Sequence, residues 1–205
     1  NNCSCQRLSA TSAEAKKGLK LASRFSLTPN ALGYCGRGEA EEILKRCIKN
    51  GECDGVEQEL KKFIVLYPYL RTIAEITGLP EFSYQVVEAY WLGNDLLKQA
   101  KPKHYDLLLN NFAKQGVPKW LVEELKQKRP RVFIPHHTFQ VLHVVVGKAS
   151  GSVPYNKETI QNCLITIKRR QSRTVATHWG KEVKILTPVE EKNLIFWTKK
   201  VLNSF

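Results

Sequence analysis

Apolar residues recur at helical spacing through the first three quarters of the chain and give way to β-branched and aromatic alternation near its end. Thr11 or Ser12 can cap a first helix running to about Phe25, with Ala15, Leu19, Ala22 and Phe25 on one face. Pro29, Asn30, Gly33, Gly36 and Gly38 then predict an ordered turn, not helix, over Ser26 to Gly38. A short helix is expected over Glu39 to Lys49, closed by Asn50-Gly51, and another from Asp54-Gly55, interrupted at Pro68 and closed by Gly78. Glu81 to Ala100 is the longest helical stretch and is apolar on nearly every side, which predicts a central position. Residues 101–131 read as two short basic helices joined by Gly116-Val117-Pro118, with Leu107, Leu108, Phe112, Trp120, Leu121 and Leu125 inward. Beyond a helical piece at Lys157 to Asn162, four segments predict strands: Cys163 to Lys168, Arg173 to Trp179, Glu182 to Leu186 and Asn193 to Trp197. Gly180-Lys181 marks a hairpin between the second and third. The expected fold is mainly α: a multi-helical domain over about residues 8–162, followed by a small antiparallel β module, sheet or barrel, over 163–205.

Composition changes this picture little. With 205 residues, 42% hydrophobic and 25% charged, the chain can bury a real core and does not read as disordered. No apolar run approaches the roughly 20 residues of a membrane helix, and no secretory leader is evident, so a cytoplasmic protein is expected. Six cysteines without a regular framework predict reduced thiols. Cys47 and Cys53 fall at a helix-to-helix connection and read as structural.

Charge adds more through its distribution. The first 97 residues hold 12 basic and 12 acidic side chains, whereas residues 98–205 hold 20 basic against 7 acidic, the whole surplus of +13. Such asymmetry predicts a face that meets an anion, whether nucleic acid, an acidic protein or a membrane surface, with nucleic acid less favoured because no zinc-knuckle or ribonucleoprotein signature accompanies it.

The candidate chemistry centres on Pro135-His136-His137-Thr138-Phe139-Gln140-Val141-Leu142-His143, which places three of the five histidines in eight residues. A helix starting at His136 would separate it from His143 by roughly 10 Å, too far for one ion. If Thr138 is the N-cap, His136 and His137 instead lie in the loop before the helix and can face a cleft. Cys35 sits in a glycine-rich turn just ahead of a helix, where the dipole favours thiolate. Glu88 lies within the apolar Glu81 to Ala100 stretch and is either at its wet edge or buried with a partner and a raised pKa. Gly93 permits close approach of another backbone, and Asn94 can bond a neighbouring loop.

Several blocks together resemble a known family: Asn30-Ala31-Leu32-Gly33-Tyr34-Cys35-Gly36, Tyr67-Pro68-Tyr69-Leu70, Val86-Val87-Glu88-Ala89-Tyr90-Trp91-Leu92-Gly93-Asn94, Pro135-His136-His137-Thr138-Phe139 with His143, and Cys163 opening the tail. It is a bacterial and archaeal family of unknown function whose members are often encoded beside nickel–iron hydrogenase genes. The resemblance implies an accessory or maturation role around hydrogenase subunits. The leading expectation is a pocket gathering Cys35, Glu88, Asn94, His136 and His137, flanked by Tyr34, Trp91 and His143. Cys35, His136 and His137 would be its metal ligands, since thiolate and imidazole suit nickel or zinc. A second reading makes Cys35 a nucleophile, His136 or His137 its base and Glu88 the orienting carboxylate of a hydrolase or acyl transferase. A third is nucleic-acid binding through residues 98–205.

Overall fold

The computed structural model describes residues 12–34, 36, 40–146 and 157–204. Cys3, Cys5 and Cys35 lie outside the described residues. Ten α-helices are present among the described residues, with a three-stranded antiparallel sheet inserted before the last of them.

Helix α1 (Ser12–Ala31) continues past Phe25 and through Pro29, so the break expected at Ser26 is corrected. A proline inside a helix lacks the N–H that would bond the carbonyl four residues back. Here that carbonyl is Phe25, and it receives a substitute donor from elsewhere in the chain, His178 Nδ1 at 2.8 Å. The chain turns only at Gly33, in the left-handed region. In the first half of α1, Gly18 lies against the backbone of Phe82 and Ser83.

α2 (Glu41–Asn50) buries Leu44 and Cys47 and ends at Gly51, whose N–H bonds the Cys47 carbonyl at 3.1 Å. Cys47 also forms a disulfide with Cys53 across this turn. The expectation of reduced thiols is therefore corrected for these two residues, while Cys163 is free and buried. The spacing of 6 residues gives little warning of the bridge, but closing even so short a loop removes unfolded-state entropy worth about 2 kcal/mol. Urea denaturation with and without reductant should show a loss near that size, and a Cys47→Ser, Cys53→Ser double variant should show the same loss in both buffers.

α3 (Val56–Leu60) and α4 (Leu66–Thr77) follow. Pro68 sits in the first turn of α4, where a missing N–H costs nothing, so it opens the helix. The stretch expected as one long central helix is shorter: α5 (Tyr84–Trp91) stops before Gly93, and Asp95–Gln99 is a 3₁₀ turn capped by the Asn94 side chain. α5 is nonetheless central, with Val86, Val87, Ala89, Tyr90 and Trp91 buried. Gly93 admits the indole of Trp197 where a Cβ would lie 2.3 Å from the ring, so the close neighbour is a side chain and not a backbone.

α6 (Tyr105–Lys114) and α7 (Lys119–Gln127) match the two basic helices, except that Trp120 is 60% exposed and not inward. α8 (His137–Gln140) continues into a π-helical turn over Val141–Val146, and α9 (Lys157–Cys163) leads into the sheet. Its strands β1 (Thr166–Arg170), β2 (Arg173–His178) and β3 (Lys181–Ile185) pair in sequence order. The β2–β3 turn falls on Trp179-Gly180, both at positive φ, the geometry a tight hairpin needs.

The fourth expected strand, Asn193 to Trp197, is helix: α10 (Pro188–Leu202). Its start is written as Thr187-Pro188-Val189-Glu190, a reciprocal capping box with proline in the first turn. Leu194, Trp197 and Val201 then supply the buried face at helical spacing. The core joins them and Ala176 of β2 to Phe25, Leu44, Tyr69, Val87 and Trp91 of the helices.

Candidate functional site

The Pro29 defect in α1 determines how one end of the histidine cluster is arranged. Because the Phe25 carbonyl can only accept, His178 Nδ1 must carry the proton that bonds it. Burial holds the imidazole neutral, lowering its pKa to about 4 while the Phe25 and Cys163 carbonyls pull weakly the other way. A neutral ring protonated at Nδ1 has a lone pair on Nε2, and that atom is buried without a hydrogen-bond partner.

His137 packs edge-on against His178, ring centroids 5.0 Å apart, and Trp91 covers both, at 4.6 Å from His137 and 5.3 Å from His178. Phe25 stacks on Trp91 at 4.9 Å and lies 6.1 Å from the His178 ring. His137 Nε2 donates to the carbonyl of Cys163 at 2.8 Å, so its Nδ1 is the accepting nitrogen and faces the Tyr90 hydroxyl at 3.1 Å. Tyr90 also contacts Gln140 Oε1. Burial, reinforced by the neighbouring His178, pushes the His137 pKa well below its ordinary value. The Trp91 Nε1–H is a second buried atom of this chamber without a partner.

His136, fully buried, is the N-cap of α8: its Nδ1 accepts from the Thr138 N–H at 3.2 Å, so the cap is His136 and not Thr138. Burial alone lowers its pKa to about 3. The neutral ring then carries its proton on Nε2, which has no hydrogen-bond partner. His143 lies elsewhere, between Phe139 and Tyr105. Its Nε2 meets the Tyr105 hydroxyl at 2.5 Å, and that hydroxyl in turn donates to the Leu125 carbonyl at 2.9 Å. Burial brings His143 down to about 4, helped by nearby Lys128.

Glu88 and Asn94 come together, the amide donating to the carboxylate at 2.8 Å. Burial raises the Glu88 pKa; the Asn94 bond opposes this and the charge of Glu190 adds to it. Glu190 accepts from Tyr84 at 2.8 Å, from the Thr187 N–H at 2.8 Å and from Lys184 at 3.0 Å. Burial alone would raise its pKa too, but these donors outweigh it and hold the carboxyl below its ordinary value. No hydrogen bond, ion pair or ring contact among the described residues joins Glu88 to His136 or His137. Tyr34 stacks on Trp179 at 4.4 Å and lines a separate cavity of about 510 Å³ with Phe63, Ile64 and Gln115. Cys35 lies outside the described residues.

The arrangement limits what the site can do chemically. Among the described residues no three of His, Cys, Asp and Glu are placed to hold one ion. His136 spends a nitrogen lone pair on the Thr138 N–H, the single proton of the Tyr90 hydroxyl beside His137 Nδ1 goes to Gln140 Oε1, and His178 Nε2 makes no hydrogen bond among the described residues. A backbone carbonyl orienting Nδ1–H while Nε2 is free is the arrangement that prepares imidazole for a ligand. From the sequence His178 reads as an ordinary strand residue, and only its approach in space to the Phe25 carbonyl left open by Pro29 gives it this role. Cys163 is a poor nucleophile here, since burial raises its thiol to about 11.

No curated protein and no solved structure matches the chain. A family model does match, over residues 14–171, and on that coverage the chain belongs to a family of unknown function, DUF6390.

Proposed function

We propose that this protein is an accessory or maturation-type factor of the nickel–iron hydrogenase system, which works by holding a metal ion or small ligand and not by turnover. The hydrogenase link rests on the resemblance of the blocks from Asn30 to Cys163. The binding reading rests on one observation, the buried and unpartnered Nε2 lone pair of His178 beside the equally unpartnered Trp91 Nε1–H. A neutral imidazole suits a soft or borderline ion such as nickel or zinc. Cys35 enters as the second ligand on the chemistry of its thiolate alone. His137 packs against His178 and would join as a further ligand through Nδ1, whereas His136 would have to release its bond to the Thr138 N–H to ligate through its own Nδ1.

The acyl-transfer reading has less support. His136, His137, His143 and His178 are lowered by burial and the described free thiol, Cys163, is raised by it, so neither partner of a thiolate–imidazole pair is favoured there. A cytoplasmic setting is part of the proposal; no helix among the described residues is long and apolar enough to cross a membrane.

The test is metal content after dialysis against nickel or zinc, with binding isotherms for the native protein, His178→Ala and Cys35→Ser. The expected result is one ion per chain, lost in both variants while their folding transitions are retained. Retention of the ion by both variants, or no retained ion in the native protein, would overturn the proposal.

A further inference from the structure

The outer edge of β3 borders an open groove that the histidine chamber does not use. Lys181, Glu182, Val183, Lys184 and Ile185 all line it, facing α1 and the end of α2 across a cavity of about 540 Å³. Consecutive strand residues point to opposite faces, so a groove lined by every residue of β3 reaches its edge, while Arg173 and Val175 of β2 extend it over one face of the sheet. β3 pairs with β2 alone among the described residues, and the backbone groups on its other side have no strand partner. The groove has an apolar floor, with Leu27 and Ile48 from the helices and Val175 from β2, and Ile185 is 54% exposed at its mouth.

Its rim is cationic in a selective way. Lys184 is committed to Glu190 at 3.0 Å, and Glu182 is committed to Arg170. Arg24, Arg173 and Lys181 close no ion pair among the described residues. Lysines on an edge strand deter pairing with like strands, and they do so least against a strand that carries negative charge.

We propose that this edge is a docking site for an extended acidic segment of a partner protein, which adds to β3 as a fourth strand. Backbone hydrogen bonds to β3 would fix its direction, alternate apolar side chains would rest on Leu27, Ile48 and Ile185, and the intervening carboxylates would meet Arg24, Arg173 and Lys181. The chain's surplus of +13 favours encounter with such a segment. Nucleic acid fits less well, because the groove offers no exposed aromatic on which a base could stack. The site uses none of the residues of the histidine chamber, so either proposal can fail alone.

The experiment is fluorescence polarisation of the full chain with a labelled peptide of alternating valine and glutamate, about nine residues long to span the strand. Saturable binding is expected, with protection of the β3 amides from hydrogen exchange. A valine–lysine peptide should not bind, and a peptide with proline at alternate positions, lacking strand donors, should bind at least about tenfold more weakly. Arg173→Glu with Lys181→Glu should weaken binding by at least about tenfold without moving the folding transition, whereas Lys119→Glu should change nothing. Equal binding of the proline peptide, indifference to the double reversal, or no binding at all would overturn the proposal. Tighter binding of oligothymidylate than of the acidic peptide would also overturn it, in favour of nucleic acid.

Discussion

Lowering the pH from 7 to about 5 is expected to unfold this protein cooperatively. His136, His143 and His178 are buried with pKa values near 3, 4 and 4, and His137 lies well below its ordinary value. In the unfolded chain each returns to about 6.5. Below that value the unfolded state takes up protons that the folded state refuses, so stability is fully present above about pH 7 and is lost as pH falls from 6.5 toward 4. Each histidine then contributes up to about 1.4 kcal/mol per pH unit. Four acting together remove roughly 5 kcal/mol or more by pH 5, comparable to the whole stability of a typical domain. Burial of Glu88 acts in the opposite direction, since a raised carboxyl favours the protonated folded form, but it is one group against four.

Denaturant midpoints measured from pH 8 to 4.5 check this. His136→Asn keeps an N-cap oxygen for the Thr138 N–H and removes one titrating ring, so its profile should be shallower than the native one. His104 is lowered in the same direction by partial burial and by the neighbouring Lys103 and Lys101, but it lies nearer the surface, so His104→Gln should flatten the profile less than His136→Asn does. A flat profile between pH 7.5 and 5 would mean that these histidines are not held neutral in the core.

Gly18→Ala is the second large expected effect, and its sign opposes the ordinary rule. Inside a helix this exchange normally stabilises by about 0.5–1 kcal/mol, because glycine has more backbone entropy to lose. In α1 the new Cβ would lie 2.0 Å from the carbonyl oxygen of Phe82 and 2.9 Å from the carbonyl carbon of Ser83. These are backbone atoms, so no side chain can turn aside. Either α1 or the entry to α5 must move, and the Phe25–Trp91 stack between those two helices moves with it. The cost expected of such overpacking is about 3 kcal/mol, or roughly 10 °C in the folding transition for a chain of this size. Gly116→Ala is the control: unlike helical Gly18 it has positive φ, but nothing lies within 4 Å of the added carbon, and it should lose about 1 kcal/mol from backbone strain alone. A stabilised Gly18→Ala would show that α1 does not sit directly on the Phe82 carbonyl.

Readings that depended on periodicity and local punctuation carried over into the structure. α2 and α4 end at Gly51 and Gly78, and α6 and α7 flank Gly116-Val117-Pro118. Two local signals were misjudged. Pro29 counted as a helix breaker because the sequence does not show that a distant imidazole replaces the hydrogen bond it removes. Leu194 to Trp197 counted as strand because β-branched and aromatic residues outweighed the capping box at Thr187, which was itself legible.

For the site, the division follows distance along the chain. The sequence by itself determined that His136, His137 and His143 lie ahead of or inside an apolar stretch and that Glu88 sits amid another, whereas the bond between Glu88 and Asn94 came from the folded chain. Only the tertiary structure decided which imidazole keeps a lone pair. His178 lies 153 residues from Phe25, and the bond between them fixes a tautomer that no local pattern encodes. Local rules concern what a residue does to its own few neighbours, whereas a proton's position depends on whichever acceptor packing brings to the ring.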